Sequence, residues 1–358
     1  MSAPPDVAII GGGIVGCAAA AFLAETGVKV DLYERDEVGS AASGRNSGSV
    51  QHPFDSVLAE LHAETLRHLR ELDGLQLARE PAGVLMLAGE RSALDTAAGE
   101  IGREAPELEP RVLQPKEVRE LEPGVAGDLW GCRLETGYPV RPASATRALA
   151  RRAFAAGARF HEHETAWPWV TGGRARGVLS AGVRRPAAAV IVAAGPWTPE
   201  VVDTTRTWQP IAPVWGVVAE VRLPDPPRHV LEEVGVEDVA GGGSSSIFSL
   251  VPAGERSSLG STFLPEAPDP DAWQGRLRRA GRRFVPSLAS AEVVGLRACA
   301  RPQSLDGRPF VGELEQGLWV AAGHGPWGIS TGPAPARVVV DALLGRANVP
   351  APLSAARF

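Results

Sequence analysis

The first residues whose spacing suggests chemistry are Gly11-Gly12-Gly13-Ile14-Val15-Gly16. They spell G-x-G-x-x-G directly after the apolar run Val7-Ala8-Ile9-Ile10, and an acid, Glu34, follows about 20 residues on. Gly11 allows a tight turn, Gly13 lets a pyrophosphate approach the main chain, and Gly16 lets a helix pack closely on a strand. The N–H groups where that helix starts, at Ile14, Val15 and Gly16, favour an anion. Glu34, with Arg35 beside it, is placed to accept from a ribose hydroxyl. The motif suits FAD and NAD alike.

These residues need a strand, a helix and a second strand to position them. Val7–Ile10 reads as a buried strand, Cys17 to Thr26 as an Ala-rich helix, and Val28 to Glu34 as the next strand, a βαβ unit. Val7 to Ala24 is uncharged over about the length of a membrane span. Four glycines interrupt it, Asp6 and Glu25 bracket it, and no basic region precedes it. The expectation is therefore a buried strand and helix, with no transmembrane segment and no signal peptide.

Past the acid, the small-residue loop Ala41-Ala42-Ser43-Gly44-Arg45-Asn46-Ser47-Gly48-Ser49 runs into Gln51-His52-Pro53. A helix is expected from about Asp55 to Leu72, with Leu58, Leu61, Leu69 and Leu72 on one face. Glu34-Arg35 followed by this loop resembles the D-amino-acid oxidase, glycine oxidase and sarcosine oxidase superfamily of FAD-dependent oxidoreductases. The Arg45-Asn46-Ser47-Gly48 form is also similar to the L-2-hydroxyglutarate dehydrogenase branch. Three later stretches carry the same resemblance. Ala193-Ala194-Gly195-Pro196-Trp197 is similar to the family's Ala-x-Gly-x-Trp signature. Gly295 to Pro302 with Asp306 to Gly312 resembles its Arg-Pro and Asp-Gly stretch, and Gly323 to Ile329 its Gly-His turn.

The resemblance implies an α/β fold: a Rossmann-type FAD-binding lobe of the glutathione-reductase-like kind with an inserted, mainly antiparallel β substrate lobe. The cofactor lobe is expected from 1–75, 139–205 and 290–358, and the substrate lobe from 76–138 and 206–289. It further implies FAD contacts at Ala42, Ser43, Arg45, Asn46, Ser47, Gly48, Ala194, Gly195, Trp197, Arg301, Gly325, Trp327, Gly328 and Ile329. A closing helix from about Pro335 to Leu344 would present its N-terminal N–H groups and positive dipole end to the reduced flavin. Ile247 to Pro252 and Ser258 to Phe263 read as a hairpin, and Gly241 to Ser246 as a loop near the mouth of the site.

In this class a substrate Cα–H leaves as hydride to the flavin, so the protein must fix the substrate's orientation. A carboxylate is best fixed by Arg, whose planar fork binds both oxygens and keeps its charge. Arg301 matches the family's carboxylate-binding position, and Arg297, four residues away on one strand face, is a weaker candidate. His324 is expected to pack on the ring or orient its turn. His52 is a candidate proton acceptor, a group that a 2-hydroxy acid would need and a neutral amine would not.

Two departures matter. Gly325-Pro326-Trp327 stands where glycine oxidases have a further Arg, which suggests a bulkier, more apolar substrate. Of the two tyrosines, Tyr33 belongs to the cofactor strand, so the tyrosine clamp of D-amino acid oxidases has at best one candidate, Tyr138. Cys299, seven residues before Asp306, matches the cysteine that carries covalent flavin in monomeric sarcosine oxidase. A packed core cysteine with noncovalent FAD is the favoured alternative.

Composition excludes other classes. The 358 residues carry 44% hydrophobic and 22% charged side chains, which is globular composition. The net charge of −6 gives no nucleic-acid footprint. Cys17, Cys132 and Cys299 form no disulfide framework, and the histidines show no metal-ligand spacing. The chain ends Ala356-Arg357-Phe358 with no peroxisomal address, so a cytoplasmic location is expected. The expected partners are a small amine, amino acid or 2-hydroxy acid, with oxygen or a quinone carrier as electron acceptor. A flavin subunit of a larger dehydrogenase is the alternative from another class.

Overall fold

The computed structural model describes residues 6–235 and 246–358. The loop expected at 241–246 lies outside them, save the main chain of Ser246, which opens a strand. Two sheets organise the rest. The first has six strands in the order Phe310–Glu315, Leu318–Ala322, Ala189–Val192, Val7–Ile10, Val30–Tyr33 and Arg159–His161. All its pairings are parallel except the edge pair of Phe310–Glu315 with Leu318–Ala322. Val7–Ile10 and Ala189–Val192 are buried along their whole length, because a parallel sheet is covered on both faces and needs continuous apolar runs.

Helices Ile14–Ala24, Ser144–Ala155 and Pro333–Leu343 contribute to the core on one face. A small sheet of Ala166–Val170, Ala175–Ser180 and Val183–Pro186 covers the other. Ile14–Ala24 is wholly buried, which explains why its sequence is rich in Ala and lacks charge. Asp55 caps helix Ser56–Arg70 by accepting from the N–H groups of Val57 and Leu58.

The second sheet has eight strands in the order Glu292–Ser304, Ile211–Arg222, Arg256–Thr262, Ser246–Ala253, Val230–Glu233, Val84–Ala88, Trp130–Leu134 and Arg111–Leu113. It is antiparallel except where Val230–Glu233 runs parallel to Val84–Ala88. The expected hairpin is present as Ser246–Ala253 with Arg256–Thr262. One boundary differs from expectation. Glu292–Ser304 pairs with Ile211–Arg222 from end to end, so it belongs to the second sheet and not with the cofactor strands. The stretch around Arg301 thus sits on the second sheet.

Alternation divides that sheet's faces. Leu85, Val217, Ala219, Leu231, Leu250 and Leu259 join a core with Phe248, Leu277 and Phe284. The neighbouring residues Val218, Glu232 and Ser249 point to the opposite face, which looks onto the first sheet's glycine turn across a cavity.

Candidate active site

The cavity measures about 1100 Å³. Its walls run from Glu34, Arg35 and Trp197 at one end to Arg301, His324 and Trp327 at the other. At the first end the chain offers main chain to a ligand. Gly11 has φ +113°, and a Cβ there would collide with the carbonyl oxygen of Ala193. A Cβ on Gly16 would collide with the carbonyl oxygen of Gly11, so Gly16 shapes the turn from behind and is not in the wall. Glu34 Oε2 accepts from Gly12 N (2.7 Å) and Oε1 from Asp36 N (2.9 Å). A carboxylate has lone pairs to spare, and Glu34 still faces the cavity. The Arg35 guanidinium lies 3.9 Å from the ring centre of Trp197.

The loop after the acid is locked by its own polar groups. Asn46 Oδ1 accepts from Gly48 N (2.8 Å), and its amide donates to Ser43 O (3.0 Å). Ser43 Oγ accepts from Ile14 N (3.0 Å), tying the loop to the start of the first helix. Ala42, Ser43, Arg45, Asn46 and Ser47 line the cavity. Gly48 does not line it, and its φ of +87° lies in the left-handed region that glycine adopts freely. Ala194, Gly195, Gly325, Gly328 and Ile329 complete the wall along with Ile14 and Val15. A cavity of this size with a Cβ-free glycine turn in its wall suits a dinucleotide.

The far end is built on the second sheet, which roofs the cavity. The Arg301 guanidinium lies flat over Gly216, where a Cβ would collide with its carbon and both terminal nitrogens. The Phe263 ring is 4.6 Å from the guanidinium carbon. Nη1 donates to Thr262 O (2.9 Å) and Nη2 to Ser261 Oγ. No carboxylate of the described residues pairs with Arg301, and burial lowers its pKa.

Arg297 shares that strand face but is already committed. It donates to Glu220 (2.6 Å), to Ser258 Oγ (2.7 Å) and to the carbonyl of Asn46 (3.2 Å), and it is not in the cavity wall. It clips the cofactor loop to the roof, and Arg45 adds a bond from the other side to Ala298 O (3.3 Å). Cys299 is buried against the wall. Burial pushes its thiol pKa up, while Arg301, Arg45 and Arg297 pull the other way.

The two histidines part company. His324 lines the cavity and is buried, with Nε2 lacking a hydrogen-bond partner among the described residues; burial lowers its pKa to about 4. His52 is turned away. Its main-chain N–H donates to Thr136 Oγ1 (2.8 Å), and its ring stands edge-on to His62 at 5.5 Å with Nε2 3.3 Å from Glu107. It is not in the wall, so the placement does not support a base at His52. Its neighbour Gln51 points inward instead, because successive residues of an extended segment face opposite ways. Tyr138 lies outside the wall, and Tyr33 lines the cofactor end.

Sequence reading missed Gln51, Gly216, Glu232, Ser249, Ser261 and Phe263. A glycine inside a strand pattern signals close approach, so Gly216 was within reach of that reading. The others depend on which strands pair.

A family model described as "FAD dependent oxidoreductase" matches residues 6–342. The chain belongs to this family. It is an FAD-dependent oxidoreductase, and its Rossmann-like lobe and mixed sheets are those of the family. The glycine oxidase of Geobacillus kaustophilus (strain HTA426) is 28% identical over 94% of this chain and 92% of that protein. The crystal structure of glycine oxidase from Geobacillus kaustophilus superposes with a TM-score of 0.85 at 27% identity, covering 99% of each chain. That of iminodiacetate oxidase (IdaA) from Chelativorans sp. BNC1 gives 0.83 at 25% identity, covering 97% of this chain and 98% of the other. No helix among the described residues is long and apolar enough to cross a membrane.

Proposed function

We propose that this enzyme oxidises a small amino acid or related carboxylate-bearing amine, with Arg301 anchoring the carboxylate. The observation that carries the reading is the Arg301 guanidinium itself. It stands in the cavity wall, clamped between Gly216 and Phe263, with no carboxylate of the described residues beside it. A cation so placed is stabilised by an anionic ligand, and the relatives' names point to amino acid substrates.

FAD would be held noncovalently along the glycine turn and the loop 42–47 and, when bound, would supply the acceptor for the hydride that leaves the substrate's Cα, with water hydrolysing the imine left behind. The protein's part is positioning. Ser261 and the carbonyl of Thr262 fix the guanidinium fork, and Phe263 and Trp327 present apolar surface on the substrate side. Oxidation of a neutral amine needs no enzyme base, which agrees with His52 facing away from the cavity.

The test is to mix the FAD-loaded enzyme anaerobically with matched amino acids, N-alkyl amino acids and 2-hydroxy acids and to follow bleaching of the flavin band. Bleaching by members of the first two groups supports the reading. Bleaching by hydroxy acids alone would replace it with 2-hydroxy-acid dehydrogenation. Readmitting air, or adding a quinone, then identifies the electron acceptor.

A further inference from the structure

The roof side of the cavity also presents an acid that the reaction as described leaves unused. Glu232 lies on strand Val230–Glu233 of the roof, is 9% exposed, and lines the cavity. Gln51 Nε2 donates to both of its oxygens, at 3.2 and 3.3 Å, and Ser49 Oγ donates to Gln51 Oε1 at 3.2 Å. Ser49 and Gln51 belong to the segment that follows the cofactor loop, so a polar chain from that segment holds the carboxylate in place.

Strand pairing locates Glu232 relative to Arg301. Glu232 pairs with Ser249, and Ser249 with Gly260, the residue before the Ser261 that fixes the Arg301 fork. Two strand spacings, roughly 10 Å, separate the main chain of Glu232 from that of Gly260; Arg301 is on the strand two places further out, and its side chain crosses Gly216 to bring the fork back to Ser261. Side chains that project into the cavity from these two strands close that gap onto one small amino acid. The roof therefore presents in one row a carboxylate, the Ser249 and Ser261 hydroxyls, and a guanidinium.

We propose that Glu232 is the second anchor of the substrate and binds its α-ammonium while Arg301 binds its carboxylate, so that the pocket selects zwitterionic amino acids over 2-hydroxy acids. This rests on the reading of Arg301 given above. It also provides the neutral amine that oxidation requires. One N–H proton passes from the ammonium to a Glu232 oxygen, turning ammonium into amine and carboxylate into carboxylic acid with no other reactant. In a site shielded from water the neutral pair gains on the ionic one.

The test uses two ligand pairs that lack a Cα–H and so cannot be oxidised. They are 2-aminoisobutyrate with 2-hydroxyisobutyrate, and 1-aminocyclopentanecarboxylate with 1-hydroxycyclopentanecarboxylate. Calorimetric titration of the FAD-loaded enzyme is expected to show the amino member binding more tightly. In Glu232→Gln the amino member should weaken at least tenfold while the hydroxy member changes little. Glu232→Asp, which keeps the charge, should retain part of the preference and guards against a folding defect in the first variant. Equal changes in both members, or none in either, would overturn the role of Glu232. Arg301→Leu separates the two readings. If it abolishes binding of both members, the carboxylate anchor stands whatever Glu232 does. If it leaves the hydroxy members bound, or if the wild type binds neither pair, the anchor fails and the proposal for Glu232 fails with it.

Discussion

The two ends of the cavity are built by different means. At the proposed cofactor end the wall is largely main chain at Gly11 and Gly13, with Gly16 shaping the turn from behind and Glu34 and Asp36 as neighbouring acids. At the proposed substrate end the wall is made of side chains, Arg301, Glu232, Ser261 and Phe263, delivered by three strands of the roof. A main-chain site must be spelled locally, because it is one turn between one strand and one helix. A side-chain site is free to draw on positions far apart in sequence, provided the sheet register is kept. The first construction tolerates almost no substitution, while the second lets specificity change without loss of the cofactor.

Breaking the cofactor end should therefore have the largest effect. In Gly16→Ala the new methyl would strike the carbonyl of Gly11 inside a fully packed helix start. An overpacked core position of this kind costs about 1–3 kcal/mol and occasionally more, and here the atom struck is main chain that cannot swing aside. The expected outcome is protein purified without flavin, or none at all, read as the flavin-to-protein absorbance ratio. A Gly16→Ala variant that retains full flavin would show that the turn is not the tight element described here.

Arg301→Leu should do the opposite, leaving flavin content intact and removing activity. Truncating one partner of a buried charge pair costs about 2–5 kcal/mol, so kcat/KM should fall roughly 30-fold or more. Arg301→Lys should recover only part of this, because an ammonium cannot reproduce the fork that Ser261 and Thr262 hold. Loss of flavin from Arg301→Leu would mean that the two ends are less separable than their construction implies.

Both signals from the cofactor end were legible in the sequence for the reason just given. The strand, glycines, helix and acid all lie within residues 7–34, and the loop that closes on them follows directly. Arg301 was legible only through family resemblance, since nothing local distinguishes it from Arg297 on the same strand face. What separates them is the strands beside them. Glu220 and Ser258 occupy Arg297, whereas Gly216 leaves a flat bed for Arg301. Glu232 and Gln51 gave no signal at all, because their meeting depends on a register between segments 181 residues apart. His52 was misplaced for a smaller reason: a one-residue shift in an extended segment turns Gln51 inward and the imidazole outward.

Acid should also act mainly on the substrate half. His324 lines that end, and His62, whose Nδ1 meets Ser330 O at 3.1 Å, lies behind it. Burial is the leading cause lowering both to about 4, below the ordinary 6.5. The folded state then binds fewer protons than the unfolded chain between those values. The stabilisation is complete above 6.5, declines as pH falls, and is exhausted below about 4. Each group contributes a slope of up to roughly 1.4 kcal/mol per pH unit in that window. Denaturant melts of His324→Gln across this range should show a visibly shallower pH dependence than the parent. An unchanged slope would mean that His324 takes up its proton in the fold at the same pH as in the unfolded chain.

Gly216→Ala gives a finer cut, because the atoms it displaces are the free end of a flexible side chain and not main chain. Stability and flavin content should hold, while a guanidinium moved by about 1 Å lowers kcat/KM between about 10- and 100-fold, mostly through KM. A silent Gly216→Ala would show that Arg301 has room to shift without loss, and that the flat bed is only packing.

The smallest expected effect is at Cys299, where the ends meet. The thiol donates toward Arg45 O at 3.9 Å and sits under three arginines, a setting that could favour a thiolate and hence attachment to the flavin. Burial outweighs them and raises its pKa, so the sulfur stays a protonated core atom at neutral pH. Acid precipitation should then release all of the flavin into the supernatant, and Cys299→Ser should match the parent in flavin content and spectrum. Flavin that stays with the pellet in the parent but not in Cys299→Ser would reverse the assignment. The cofactor would then be bound through a side chain of the roof as well as the glycine turn, and the division between a main-chain end and a side-chain end would no longer hold.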